Sequence, residues 1–273
     1  MRLLVIVGTQ LRHQYFLATL AEKFPLAGVI EYQRTLVQPP KLDKEYFRKE
    51  DLEIEKKHLG ELQQSETSFF KSRVDSMSKN NVGVLRVAGE AELNSIDSIE
   101  WVRSVNADVM IDYGSGILRQ NLLGALPHWK INLHGGISPY YKGSATLFWP
   151  FYFQQPELAG ATFHLLSEKI DGGDILQHVR PRMFADDNIT DIMCRCIVEA
   201  SDIAVMLLKK LQTTGDLELF PQKGTGKLFL EKDYKPSCVR VVRELVNGGL
   251  IARYLEHKKV FDSDYQFVNQ IEK

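Results

Sequence analysis

The chain has 273 residues, is 44% hydrophobic and carries a formal net charge of −1, which fits a globular protein with a sizeable core and removes the strongest electrostatic argument for unspecific nucleic-acid binding. No apolar run approaches the ~20 residues of a membrane helix, so no membrane partner is expected. The three cysteines, Cys194, Cys196 and Cys238, have no framework spacing; they fit a reducing compartment, and the cytoplasm is the expected location.

Residues 3–7 form a short apolar run ending at Gly8. It lacks a small-residue cleavage site and reads as a buried parallel strand, not a leader. A helix over 14–24 and a second strand over 26–32 complete a βαβ unit. Its first turn has one glycine and not Gly-x-Gly-x-x-Gly, which disfavours a dinucleotide. Arg12 and His13 lie near the helix N-terminus, where they either meet a phosphate or are solvated turn residues. Residues 33–80 break the alternation. Leu52, Leu59, Leu62, Phe69 and Met77 fall near helical spacing in a mixed-charge segment, so one or two inserted amphipathic helices are expected, their apolar stripe packed on the domain itself. Strands follow at 82–87 and 107–113 around a helix at 95–105, then a short helix at 117–126 and a central strand at 131–133. Beyond them the pattern predicts a helix at 145–154, a strand at 161–166, a ribbon at 175–183 and a long helix at 190–211. The tail reads as a loop at 221–227, a small strand at 228–230 and a helix at 237–254 broken at Asn247-Gly248-Gly249. The fold class is α/β, a Rossmann-like open and mostly parallel sheet flanked by helices. The main domain spans 1–212, with a helical insertion at about 38–80, and 213–273 is an extension packing on the core or a dimer partner.

Asn132 and His134 flank Leu133 at the end of the central strand, so both side chains leave the sheet on one side. Asp171 follows after another apolar run, just before two glycines. An amide and an imidazole can stabilise an oxyanion, and a carboxylate can keep the imidazole protonated or relay a proton. Gly-x-Ser-x-Gly is absent and Cys194 and Cys196 fall in a predicted helix, so the set suits direct attack of an external nucleophile on a carbonyl carbon. A metal set of His134, Asp171 and Asp174 is disfavoured, because Asp174 lies beyond the turn with no second histidine near it; no metal is expected. Asp171-Gly172-Gly173 alone would be a tight turn; paired with Asn132-Leu133-His134 it carries chemistry.

Asn132-Leu133-His134, the turn from Ser138-Pro139 to Gly143, and Ile170-Asp171-Gly172-Gly173 with Ile175-Leu176-Gln177 resemble the N-formyltransferase family that uses 10-formyltetrahydrofolate, most of all the sugar-nucleotide N-formyltransferases. The resemblance runs over about 106–211. It implies that Asn132 polarises the formyl oxygen, that His134 stabilises the oxyanion, and that Asp171 holds His134 charged and helps strip a proton from the attacking amine. It places the folate pocket at Tyr113, Gly114, Ser115, Gly116, Ile117 and Leu118, and the acceptor near Arg12, His13 and Lys142. The chain departs from the family in having Lys142 for an arginine and Gly135 for a proline, which loosens that loop. Family members act on glycinamide ribonucleotide, methionyl-tRNA or amino-sugar nucleotides. The first are shorter than this chain and the second carry a C-terminal barrel. The segments at 12–16 and 147–151 look more like the third, which implies a nucleotide-linked amino sugar as acceptor and a homodimer serving polysaccharide synthesis. The rival reading is a hydrolase that delivers the formyl group to water.

Overall fold

The structure, a computed structural model, describes residues 1–34, 47–77 and 82–271. In chain order it runs β1 (Leu3–Gly8), α1 (Leu11–Lys23), β2 (Leu26–Gln33), α2 (Lys49–Ser76), β3 (Val84–Ala88), α3 (Gly89–Leu93), α4 (Ile96–Val105), β4 (Val109–Tyr113), α5 (Gln120–Leu123) and β5 (Trp129–His134). It continues through β6 (Tyr141–Gly143), α6 (Trp149–Tyr152), β7 (Ala161–Leu165), β8 (Ile175–Val179), α7 (Ile189–Thr214), β9 (Lys227–Phe229), α8 (Pro236–Asn247), α9 (Leu250–Glu256) and α10 (Lys258–Asp262).

Among the described residues the main sheet has seven strands in the order β3-β2-β1-β4-β5-β7-β8. β1 to β5 pair in parallel; β7 is antiparallel to both β5 and β8. β1 is apolar up to its closing glycine and fully buried, as a strand covered by helices on both faces must be. The chain moves outward from β1 to β3, then returns to the other side of β1 with β4. Open α/β sheets bind ligands at such a reversal, beyond the carboxyl ends of the strands. The expected Rossmann-like sheet is therefore present, with two antiparallel strands added beyond β5.

Local differences from the pattern have physical causes. The helix expected at 145–154 shrinks to the single turn α6, with Pro150 near its start and Gln154 at φ 55 just after it. The helix at 117–126 shrinks to α5. β6 has no hydrophobic period to reveal it. It pairs in parallel with β9, where the Phe229 ring stacks on Trp149 at 4.6 Å and on Tyr141 at 5.9 Å.

The insertion is one long helix, α2; its expected start near 38 lies outside the described residues. Its buried residues are Asp51, His58, Ser65 and Phe70, and Leu59 of the expected apolar stripe is 53% exposed. Phe70 is fully buried and Phe69, Val74 and Met77 pack against the same core, as expected of the stripe; the rest of the burial is polar because α2 docks through paired groups. Asp51 accepts from Arg240 of α8 at 2.7 Å, Glu61 pairs with Arg243, and Ser65 donates to Asp191 of α7 at 2.6 Å.

The C-terminal segment packs on the core. α8 lies against α2 and α6, and residues 264–271 run beside β8. There His178 Nε2–H donates to the Ser138 carbonyl at 2.9 Å, and its Nδ1 accepts from the Val268 amide at 2.9 Å. Burial lowers the His178 pKa to about 4. The unfolded chain therefore takes up this proton first, so the contribution to stability is complete above about 6.5 and is lost as pH falls through about 4. Protonation at Nδ1 also removes the acceptor for Val268. Protection factors for hydrogen exchange at 265–271 should fall as pH drops from 6 to 4, and His178→Gln should remove that pH dependence.

Candidate active site

A cavity of about 1140 Å³ opens beyond the carboxyl ends of β1, β4 and β5, walled by α2 and by residues 228–231. The β5–β7 register builds its floor. Asn132 lies opposite His164, and His134 opposite Thr162. Cross-strand partners share a face, so two imidazoles and an amide meet at one end of the sheet. Thr162 then pins the loop after His134, accepting from the Ser138 amide at 2.9 Å and donating to the Gly136 carbonyl at 2.6 Å.

His164 Nδ1–H donates to the Leu165 carbonyl at 2.8 Å, which leaves Nε2 to accept from the Asn132 amide nitrogen at 3.0 Å. One N–H of Asn132 is thereby fixed and the other is left for a ligand. His134 Nε2–H donates to the Tyr141 carbonyl at 2.8 Å, so the lone pair sits on Nδ1, facing Asp171 Oδ1 at 3.4 Å. These tautomers follow from the partners.

Asp171 is held by backbone. Its Oδ2 accepts from the Gly143 amide at 2.8 Å, and its own carbonyl accepts from Gln222 at 2.8 Å. Gly143 makes its turn at φ 88, a conformation costly for other residues. Gly173 has no room for a side chain, since a Cβ there would lie 1.8 Å from the Leu165 carbonyl oxygen.

Burial drives the His134 pKa below its ordinary value, and the facing Asp171 only partly offsets this. Burial acts on Asp171 in the opposite sense, but His134, His164 and the Gly143 amide outweigh it and bring Asp171 down to about 2. At neutral pH the pair is an ionised Asp171 beside a neutral His134. Burial thus works against the imidazolium expected from the resemblance, while Asp171 works for it. With its one N–H spent on Tyr141, a neutral His134 could act as a proton acceptor, and Asn132 could donate to an oxyanion.

Tyr113, Gly114, Ser115, Gly116, Ile117 and Leu118 all line the cavity, as do Arg12 and His13. Arg12 is ion-paired with Glu66 of α2, and His13 is 7% exposed, packed edge-on against Tyr113 at 4.6 Å. Neither is a solvated turn residue. Burial, with the Arg12 charge, lowers His13 to about 3 and keeps it neutral. Lys142 is on β6 and is not among the residues lining the cavity. Cys194 lines it, but burial raises its thiol to about 12, which leaves no thiolate for attack. No group of His, Cys, Asp and Glu side chains suited to a metal ion occurs among the described residues. No helix among them is long and apolar enough to cross a membrane.

Sequence reasoning missed His164, Gln222 and Glu66. His164 left a signal: Thr162 and His164 alternate with Phe163 and Leu165 in the β7 run, which puts two polar groups on one face. Gln222 and Glu66 left none, because each meets the site through a distant fold contact.

Comparison with known proteins gives the family and the fold. The Formyl transferase family profile matches residues 56–207. The methionyl-tRNA formyltransferase of Thermosynechococcus vestitus is 32% identical over 140 residues, covering 50% of this chain and 41% of that protein. The corresponding Burkholderia multivorans enzyme is 28% identical over 149 residues, covering 54% of this chain and 45% of that one. The chain thus spans less than half the length of these curated relatives. In structure it is similar to the N-formyltransferase of Helicobacter canadensis, solved with folinic acid and dTDP-3-aminofucose, with a TM-score of 0.56 at 14% identity, covering 86% of this chain and 73% of that one. It is likewise similar to the phosphoribosylglycinamide formyltransferase of Anaplasma phagocytophilum, with a TM-score of 0.54 at 16% identity, covering 84% of this chain and 97% of that one. At such identities the likeness concerns the fold. The family match takes in more than half of the chain and contains Asn132, His134 and Asp171, so the chain belongs to the formyl transferase family.

Proposed function

We propose that this chain transfers a formyl group from 10-formyltetrahydrofolate to the primary amine of a nucleotide-linked amino sugar. The observation that carries the reading is the opposition of one free Asn132 N–H to a proton acceptor made of His134 Nδ1 and Asp171. The amine attacks the formyl carbon; Asn132 donates to the formyl oxygen as negative charge grows on it. His134 Nδ1 takes the proton the amine releases, and the imidazolium so formed is stabilised by Asp171. Ile117 and Ile170 line the cavity while 51% and 49% exposed, apolar surface that the folate's ring systems would cover.

Arg12 and Arg34 line the cavity beyond β1 and β2, paired there with Glu66 and Glu231; an acceptor's phosphates would compete with those carboxylates for the two guanidiniums. The fold likeness to sugar N-formyltransferases supports the same acceptor class. The names of the sequence relatives favour methionyl-tRNA as a second reading. Cysteines buried as thiols fit the cytoplasm, and a homodimer completes the reading, checked by light scattering.

The test is incubation with the formyl folate and a panel of nucleotide-linked amino sugars, glycinamide ribonucleotide and methionyl-tRNA. One amino-sugar nucleotide should gain the mass of one formyl group. Formylation of methionyl-tRNA alone, weakening steeply with salt, would support the second reading. Donor consumption at one rate with and without any amine would make the chain a hydrolase.

A further inference from the structure

Asp112 accepts hydrogen bonds from Ser115 but is not fully paired. It interrupts the apolar run Val109-Met110-Ile111 of β4 and is 4% exposed, and one carboxyl oxygen, Oδ1, has no hydrogen-bond partner. A buried acid without a cation costs stability wherever it ionises. Its place in the sheet is specific. β4 pairs with β5 so that Asp112 lies beside Asn132, and Asn132 lies opposite His164. Asp112, Asn132 and His164 therefore form one row across three strands, and all three line the cavity with Asp171. Asp112 stands on the β4 side of Asn132, whereas His134 and Asp171 take the proton acceptor's part.

Formyl transfer needs two proton movements. One proton leaves the attacking amine, and one must reach the donor nitrogen, which is a poor leaving group as an anion. We propose that Asp112 is the general acid for the departing nitrogen, acting opposite the His134–Asp171 acceptor; this rests on the formyl-transfer reading. A bond forms between the amine nitrogen and the formyl carbon, and the bond from that carbon to N10 of the folate breaks. The amine proton goes to His134 Nδ1, and the carboxyl proton of Asp112 goes to N10. Water then returns one proton to Asp112 and removes one from His134.

The environment suits the role. Burial raises Asp112 to about 7 against the pull of Ser115, and the Asp171 charge adds to the rise. Asp171 itself falls to about 2. Two carboxylates pushed apart in this way are the pattern of an acid and a base in one site. Other titratable or charged groups that line the same cavity include His134 and His164, Tyr113, His13 and Arg12 of α1, and Glu90 of α3; Arg12 is tied to Glu66.

The test is kcat and KM for the formyl folate across pH, with thermal stability, for wild type, Asp112→Asn and Asp112→Val. Wild-type kcat should fall on an alkaline limb near pH 7. Both variants should lose that limb and about a hundredfold or more in kcat, with KM within about threefold, while Asp112→Val melts higher than wild type because it restores an apolar strand. Wild-type kcat with the limb retained in Asp112→Asn would overturn the proposal alone. So would a rise confined to KM, which marks a donor-binding contact, or a loss of activity accompanied by a lower melting temperature in both variants. If wild type itself turns over no formyl folate with any amine, the formyl-transfer reading fails and the proposal with it.

Discussion

Asp171→Asn is expected to lower kcat by about a hundredfold or more while leaving the KM for the formyl folate within about threefold. The substitution is close to isosteric. Asparagine tolerates the left-handed backbone that Asp171 adopts at φ 46, and its amide oxygen can still accept the bond from Gly143 that fixes the turn. What it removes is the negative charge 3.4 Å from His134 Nδ1. His134 is buried and its pKa is already lowered by that burial, so without the carboxylate it becomes a still weaker proton acceptor. The defect should lie in the chemical step, and the loss relative to wild type should be larger at higher pH and shrink as pH falls, because His134 without its carboxylate is protonated only at lower pH than in wild type. Equal kcat for Asp171→Asn and wild type would remove Asp171 from the proton path.

Gly173→Ala should cost as much activity without touching any reactive group. A methyl group at that position would lie 1.8 Å from the Leu165 carbonyl oxygen, which is backbone and has no rotamer to escape into. The turn from 171 to 174 is tied down on both sides. The Asp174 carbonyl accepts from the Leu165 amide at 2.9 Å, and Gln222 donates to the carbonyls of Asp171 and Gly173 at 2.8 and 2.7 Å. Relief of the clash must move the turn and Asp171 with it. A displacement of about 1 Å at a reacting group is enough for a hundredfold loss, and the broken turn bonds should cost roughly 2–4 kcal/mol of stability. Denaturant unfolding and kcat measured on the same preparation check both parts. Wild-type values for both would show that the turn is looser than its contacts imply.

The two predictions mark where sequence reading succeeds and where it stops. β1, β2, β4 and β7 are legible because each is an apolar run bounded by turn residues. Asn132 and His134 are legible because strand period alone puts them on one side. Asp171 was legible only beside Asn132-Leu133-His134, since Asp-Gly-Gly by itself predicts only a turn. The buried line of α2 was not legible. Ser65 meets Thr190 and Asp191 across 125 and 126 positions, and nothing local distinguishes it from a solvated serine. The protonation state of His134 was also out of reach. It is set by burial against a carboxylate, a balance that depends on the packed environment. Asp112 was readable as an acid inside an apolar strand, but its position beside Asn132 depends on the β4–β5 register.

The most direct test of the account is a quenched-flow experiment with a ¹³C-formyl folate and its amine acceptor. The protein and the small molecules are analysed by mass at each time. The account predicts that the label passes straight into the acceptor's new formamide, with no labelled protein at any time, because the amine attacks the formyl carbon directly and the cavity thiol of Cys194 is raised to about 12. A formyl adduct on the protein that forms and decays at the catalytic rate, or label released only as formate, would contradict it.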